Sequence, residues 1–317
     1  MSYTGKIAAT TAYLPKQKNL WQRFWSRSNE KVGYLFILPA FLHLLLFLLI
    51  PLVFSLYLSF TNWRGPNPQS ALFIGLENYE FLFGDRRFWE AMRNTAYYTL
   101  LYVPGSMIVS LLIALVMNQK LKGVYLFRTL FFMPVISSWV AVSIIWITLL
   151  DPQVGILNYV LRQIGIAPVN WLGDPSTAMI AIVIIAIWKS VGFQMVIWLA
   201  GLQAIPEELH EAAAIDGANR TQTFFRITLP LLAPTTFFLA ITGVIGSFQV
   251  FSPIYVITGG GPRGSTDVVV YHIYTRAFEA YDMGYAASQA WILFAVIFAA
   301  TLIQVWYRRR QGESGLF

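Results

Sequence analysis

The stretch Val32–Asn62 reads VGYLFILPAFLHLLLFLLIPLVFSLYLSFTN, with no charged side chain from end to end. A hydrocarbon core about 30 Å thick is crossed by about 20 helical residues, so this run spans it with length to spare. Its prolines, Pro39 and Pro51, lie near the ends, where neighbouring groups make good the lost N–H donors. The run is too long for the apolar core of a signal peptide, and no small-residue cleavage site follows it. No removed targeting segment is expected.

Five further runs repeat the pattern: Asn94–Gln119, Thr129–Leu150, Ala178–Ala204 (interrupted only by Lys189), Leu229–Thr258 and Tyr285–Tyr307. The expected fold class is all-α, a polytopic membrane protein with six transmembrane helices in a lipid bilayer. Composition agrees. Apolar residues are 57% of the 317 and charged ones 12%, against about a quarter charged in a soluble domain. Small residues recur at four-residue spacing, as in Ser106, Ser110, Ala114 and in Gly284, Ser288, and such rows let membrane helices approach closely.

An even number of spans puts both termini on one side. The net charge is +7, and its cations sit in short segments between apolar runs rather than in a stripe, which speaks against nucleic acid as a partner. With both termini cytoplasmic, the inside segments hold Lys6, Lys16, Lys18, Arg23, Arg27, Lys31, Lys120, Lys122, Arg128, Arg220, Arg226 and Arg308–Arg310. The outside loops hold fewer, among them Arg64, Arg86, Arg87 and Arg263. That excess is the positive-inside bias, and it places both termini in the cytoplasm. The expected organisation is an N-terminal extension over residues 1–32, a six-helix domain over 33–307 and a tail over 308–317. Within the extension, Leu20, Trp21, Phe24 and Trp25 share one helical face opposite Gln22, Arg23 and Arg27, the pattern of an interfacial helix. Two outside segments, around Phe81, Phe88, Trp89 and Met92 and around Tyr271, Tyr274, Phe278 and Tyr281, are read as further surface-lying amphipathic pieces.

Several catalytic signatures fail. Gly259, Gly261 and Gly264 fit G-x-G-x-x-G without a βαβ unit around them, and Ser265 stands where a phosphate loop needs lysine. His210-Glu211 opens like a zinc-helix motif, but Ala214 holds the second histidine's place. Cysteine is absent, which removes thiol catalysis and Cys-ligated zinc. No metal site and no catalytic residue are expected, nor any cofactor in this chain. The chain is not expected to be an enzyme.

The informative segment runs from Ile205 to Pro230, IPEELHEAAAIDGANRTQTFFRITLP. Pro206 suits a first helical turn, and Glu207, Glu208 and Glu211 complement the helix N-terminal dipole. Gly217 stops the helix, and a second piece over Asn219–Ile227 leads back to the membrane at Leu229-Pro230. The result is a helix–Gly–helix elbow with a small apolar face at Ala212 and Ala213, suited to being covered by another protein. In the spans, polar and aromatic groups that suit a solute path are Trp188, Lys189, Ser190, Phe193 and Gln194, then Thr242, Ser247 and Gln249 near Gly243 and Gly246. Lys189 is the one formal charge inside an expected span. At mid-depth it costs at least about 2.5 kcal/mol, so it must face either a cavity or a structural partner.

Glu211-Ala212-Ala213, three residues, Gly217, nine residues, Ile227, one residue and Leu229-Pro230 make a pattern that resembles the "EAA" loop of ABC-importer permease subunits. The stretches Leu202–Pro206, Thr258–Pro262 and Ala277-Phe278 with Met283–Tyr285 resemble the carbohydrate-uptake branch, which includes maltose and glycerol-3-phosphate permeases. The likeness extends from about Gly33 to Tyr307. It implies a permease of the inner membrane that pairs with a second, homologous permease and a dimer of ATPase subunits, which carry ATP and Mg. It also implies an extracytoplasmic solute-binding protein. Glu207 through Ala218 would be the coupling helix, with Glu207, Glu208, Glu211, Ala212, Ala213, Asp216, Gly217 and Ala218 meeting the ATPase. The sugar site would fall in the fourth and fifth helices, with Phe193 as a stacking ring and Gly243 and Ser247 at pocket positions. Val250 stands where the maltose permease has an amide, which argues against maltose itself. Gly259, Gly260, Gly261 and Pro262 would meet the binding protein. The competing reading, a secondary transporter driven by an ion gradient, predicts inverted repeats and mid-membrane carboxylates; the sequence offers neither.

Overall fold

The computed structural model describes residues 34–65, 71–119 and 122–310. The expected interfacial helix at Leu20–Arg27 lies outside the described residues. Chain through Ser55 forms one unit and Leu56 onward a second. The first unit holds most of helix α1 (Tyr34–Leu58). Its turn at Leu45–Leu49 is widened to the π type, just ahead of Pro51. The proline ring clashes with a carbonyl four residues back, and a wider turn accommodates that conflict.

The second unit continues with α2 (Glu77–Gly84), α3 (Arg86–Met117), α4 (Val124–Ile136), α5 (Trp139–Leu149), α6 (Ile156–Gln163) and α7 (Ala178–Gln203). Then come α8 (Glu207–Ile215), α9 (Arg220–Leu231), α10 (Ala233–Phe248), α11 (Ser252–Ile257), α12 (Val269–Tyr274) and α13 (Met283–Arg310). Among the described residues the only β pairing is two isolated bridges, Thr61 with Phe73 and Arg64 with Asp282. Four helices are long and apolar enough to cross a membrane by themselves, and two bent pairs, α4 with α5 and α9 with α10, bring the candidate spans to six.

Three boundaries differ from the sequence expectation. The second span starts at Arg86 and not at Asn94, because Asp85 caps it: its carboxylate accepts from the Arg87 amide at 2.9 Å. Phe88 and Met92 therefore belong to this span rather than to a surface helix, and Phe88 is fully buried. The third span is two helices meeting at 100°. Ser137 is extended, and Ser138 caps α5 by accepting from the Val140 amide. The fifth bends by 63° at Leu232, where Pro234 opens α10, and α10 stops at Phe248. A second widened turn, Phe224–Thr228, again lies just ahead of a proline, Pro230.

Helix α7 is the axis of the unit, packed along α3 and against α4. Lipid tails are as apolar as leucine, so helices associate here through close approach and polar bonds more than through apolar burial. Both are present. A Cβ at Gly192 would lie 2.8 Å from the Phe131 carbonyl carbon and 2.9 Å from Phe132 Cα, so α7 touches the α4 backbone directly. Between α3 and α7, Gln194 Nε2 donates to Ser106 Oγ at 3.1 Å, Ser110 Oγ donates to Gln194 Oε1 at 3.1 Å, and Trp198 Nε1 donates to Ser110 Oγ at 3.0 Å. Ser106, Ser110 and Ala114, the small-residue row of the sequence, are all buried in this seam.

Candidate functional site

A cavity of about 470 Å³ opens between α3, the α4–α5 break, α7 and α10. Aromatic rings form much of its wall. Tyr98 and Tyr102, one turn apart on α3, stack with centroids 5.4 Å apart and planes at 11°. Trp139 enters from the start of α5, Phe193 from α7, and Phe251 from the turn after α10. Ser190, Thr242, Gln249 and Ser252 supply hydroxyl and amide groups.

Of the residues singled out in the sequence, Lys189, Ser190, Phe193, Gln194, Thr242, Gly243, Gly246, Gln249 and Val250 line this cavity together. Two do not. Ser247 is buried and donates to its own helix at the Val244 carbonyl, 2.9 Å away. Trp188 faces a separate apolar groove and meets the Trp146 ring edge-on at 5.5 Å. Gln194 touches the cavity, yet both ends of its amide are engaged by Ser106 and Ser110.

Lys189 has structural partners. Its Nζ donates to the carbonyls of Pro134 at 3.0 Å, Val135 at 3.3 Å and Ser137 at 2.8 Å, and lies 5.1 Å from the Trp139 ring centre. Those carbonyls end α4, where a helix leaves acceptors without intrahelical donors and carries about half a negative charge. The ammonium therefore satisfies the broken span from the side. Tyr98, Tyr102 and Trp139 were not singled out in the sequence. Their signal was present: two tyrosines at helical spacing inside an apolar run, and a tryptophan beside Ser137-Ser138.

The elbow lies where α7 hands over to α8. Gly217 takes φ +77°, and the closing bonds follow from it: Ala218 N–H donates to Ala213 O at 2.9 Å and Gly217 N–H to Ala214 O at 3.1 Å. This pair of bonds terminates the helix and needs a residue that tolerates positive φ. Asn219 then starts α9 with a capping box, exchanging bonds with Gln222 at 2.8 and 2.9 Å. Glu207, Glu208, Glu211, Ala212, Asp216 and Gly217 are exposed, while Ala213 is buried and Ala218 half-buried. The expected joint Ala212–Ala213 face is thus divided, and the outer surface belongs to Ala212, the carboxylates and Ile215, which is 87% exposed.

At the opposite end of the bundle, Gly259 and Gly260 have positive φ. A Cβ on Gly260 would meet the Tyr271 ring at 2.7 Å. Asn94 Nδ2 on α3 holds this loop by donating to the carbonyls of Gly264 and Asp267, both at 2.9 Å. Gly261 and Pro262 are half-buried in the same turn. Nearby, Tyr285 donates to Asp85 Oδ2 at 2.6 Å and Arg276 lies 3.8 Å from it. Burial alone would raise the Asp85 carboxyl, but the Tyr285 hydroxyl, the Arg87 and Phe88 amides and the Arg276 charge outweigh it and hold it below its ordinary 3.8. No group of three or more potential ligands that could hold a metal ion occurs among the described residues.

A family model described as "Binding-protein-dependent transport system inner membrane component" matches residues 86–312. The chain belongs to this family. It is a multi-pass inner-membrane permease component of an ABC transporter, and a transport subunit rather than an enzyme. It is similar to the trehalose/maltose transport system permease protein MalF of Thermococcus litoralis, at 36% identity over 282 residues covering 87% of this chain and 92% of that one. It is likewise similar to the sn-glycerol-3-phosphate transport system permease protein UgpA of Agrobacterium fabrum, 34% identical over 290 residues, 90% of this chain and 98% of the relative. Among solved structures it matches a chain of a bacterial alginate ABC transporter in complex with an alginate pentasaccharide-bound periplasmic protein. There the TM-score is 0.81 and identity 25%, covering 94% of this chain and 100% of the other. The family resemblance read from the elbow is borne out.

Proposed function

We propose that this chain is one permease of an ATP-driven importer for a sugar, oligosaccharide or related polyol, forming half of an alternating-access path with a homologous permease. The observation that carries the reading is the aromatic-walled cavity between α3, α5, α7 and α10, in a chain of the binding-protein-dependent family. Ring faces meet the C–H faces of sugars, and hydroxyl and amide groups between them exchange hydrogen bonds with sugar hydroxyls. The relatives named for trehalose/maltose and for alginate support a carbohydrate cargo.

The elbow from Glu207 to Ala218 is the proposed contact to a dimeric ATPase, with both termini on the same, cytoplasmic side. Its helix and capped partner are joined by one left-handed residue and two closing backbone bonds, which suits transmission of closure to α7 and α9. The glycine turn at Gly259–Pro262, tied to α3 by Asn94, is the proposed seat for the binding protein. Lys189 acts as a brace for the broken third span. The test is ATP-driven uptake in proteoliposomes by the co-purified complex, supplied with its binding protein. Uptake that needs ATP and the binding protein supports the reading; uptake by this chain alone along an ion gradient overturns it.

A further inference from the structure

The relatives carry cargo of two electrostatic kinds: trehalose and maltose are uncharged, while glycerol-3-phosphate and alginate are anionic. A wall for an anion needs unspent cations or convergent N–H donors, because a carboxylate or phosphate stripped of water and left unpaired is heavily penalised. The cavity wall shows what this chain offers. Among its described lining residues Lys189 carries the only formal charge. An ammonium has three N–H donors, and all three go to the carbonyls of Pro134, Val135 and Ser137. Its charge is balanced by the C-terminal end of α4, and the residue is only 6% exposed. Nothing of it remains for a solute. The hydroxyl hydrogens of Ser190 and Thr242 go to the Ile187 and Phe238 carbonyls of their own helices, the Gln194 amide is held by Ser106 and Ser110, and the Gln249 amide also lines the wall. No carboxylate faces the cavity either, so a cationic solute finds no partner.

We propose that this chain's half of the path favours uncharged saccharides over uronates, sugar phosphates and sulfonates, with the Lys189 charge spent on the wall. This rests on the importer reading and narrows its cargo. The aromatic surface, spread over Tyr98, Tyr102, Trp139, Phe193 and Phe251, provides stacking faces for more than one sugar ring.

The experiment measures direct binding of labelled trisaccharides to the permease–ATPase complex in nanodiscs, without the binding protein, so that its selectivity does not enter. The probes are neutral trisaccharides built of glucose, galactose or xylose, and trigalacturonate. Wild type is expected to bind at least one neutral probe, with trigalacturonate at least about tenfold weaker, the size expected for one unpaired charge. A Thr242→Arg variant, which adds an unspent guanidinium to the wall, should narrow that gap by weakening the neutral probe and strengthening the acid. Trigalacturonate binding as tightly as the neutral probes, in a complex that still drives ATP-dependent uptake, overturns the selectivity and leaves the importer reading intact. Binding of neither class, together with absent ATP-driven uptake, overturns both.

Discussion

Replacing Gly192 by alanine tests whether the brace depends on helix contact. The added Cβ would sit 2.8 Å from the Phe131 carbonyl carbon and 2.9 Å from Phe132 Cα, and would press on the Phe131 oxygen as well. Ordinary contact needs about 3.5 Å or more, so α7 must retreat from α4 by roughly 1 Å. Backbone lines both sides, and no flexible side chain absorbs the strain. Overpacking of this kind costs about 1–3 kcal/mol. Lys189 lies one turn away on the same face. Its bonds of 2.8, 3.0 and 3.3 Å would stretch by a similar amount, past the reach of a good hydrogen bond. Those three bonds are worth about 0.6–1.7 kcal/mol each in a membrane bundle, so Lys189→Met by itself should cost about 2–5 kcal/mol. The two effects share one contact and must not add. The double variant should be less destabilised than the two losses combined by about 1–2 kcal/mol, measured by equilibrium unfolding of the purified complex. Additivity within about 0.5 kcal/mol, or a neutral Gly192→Ala, would refute the idea that α4–α7 contact and the Lys189 brace are one device.

Other outcomes follow from the same geometry. At Gly217, with φ +77° and open space where a Cβ would go, alanine should cost about 1–2 kcal/mol through backbone strain alone and asparagine less. Gly217→Asp, in contrast, should abolish ATP-coupled uptake with membrane insertion intact; normal uptake would remove the elbow from the coupling role. Phe193→Ala should lower uptake without loss of assembly, and unchanged uptake would shift the solute contacts to the partner permease. The Asp85 carboxyl is held below its ordinary 3.8, so its contribution is present above that pH and is lost as pH falls through the lower folded value. Thermal melts from pH 6 to pH 3 should show the wild type losing stability at the acid end, with a shallower loss in Asp85→Asn; parallel curves would contradict the Asp85–Tyr285–Arg276 assignment.

The spans were legible because about 20 apolar residues in a row have few uses other than crossing a bilayer. The elbow was legible because its determinants are local: a proline and an acidic first turn, then one glycine. The break in the third span was not. Pro134 lies inside α4 as Pro104 lies inside α3, and α3 continues past its proline to Met117. What separates the two cases is the amine of Lys189, 55 residues further along the chain from Pro134, which accepts the role of donor to the freed carbonyls. A pairing of that kind is invisible to periodicity. The same reason hid the wall of the cavity. Tyr98 and Tyr102, one turn apart in an apolar run, meet Phe251 on one surface only through the turn after α10. Ser247 shows the opposite error, a polar side chain in a promising helix that bonds to its own backbone.

The most direct measurement is purification of this chain by an affinity tag from native membranes, with the masses of the co-purifying proteins and solute uptake after reconstitution. The account predicts a second permease-sized protein and an ATPase subunit, with uptake that stops when ATP is withheld. A lone chain that moves solute along an ion gradient without any ATPase would contradict it.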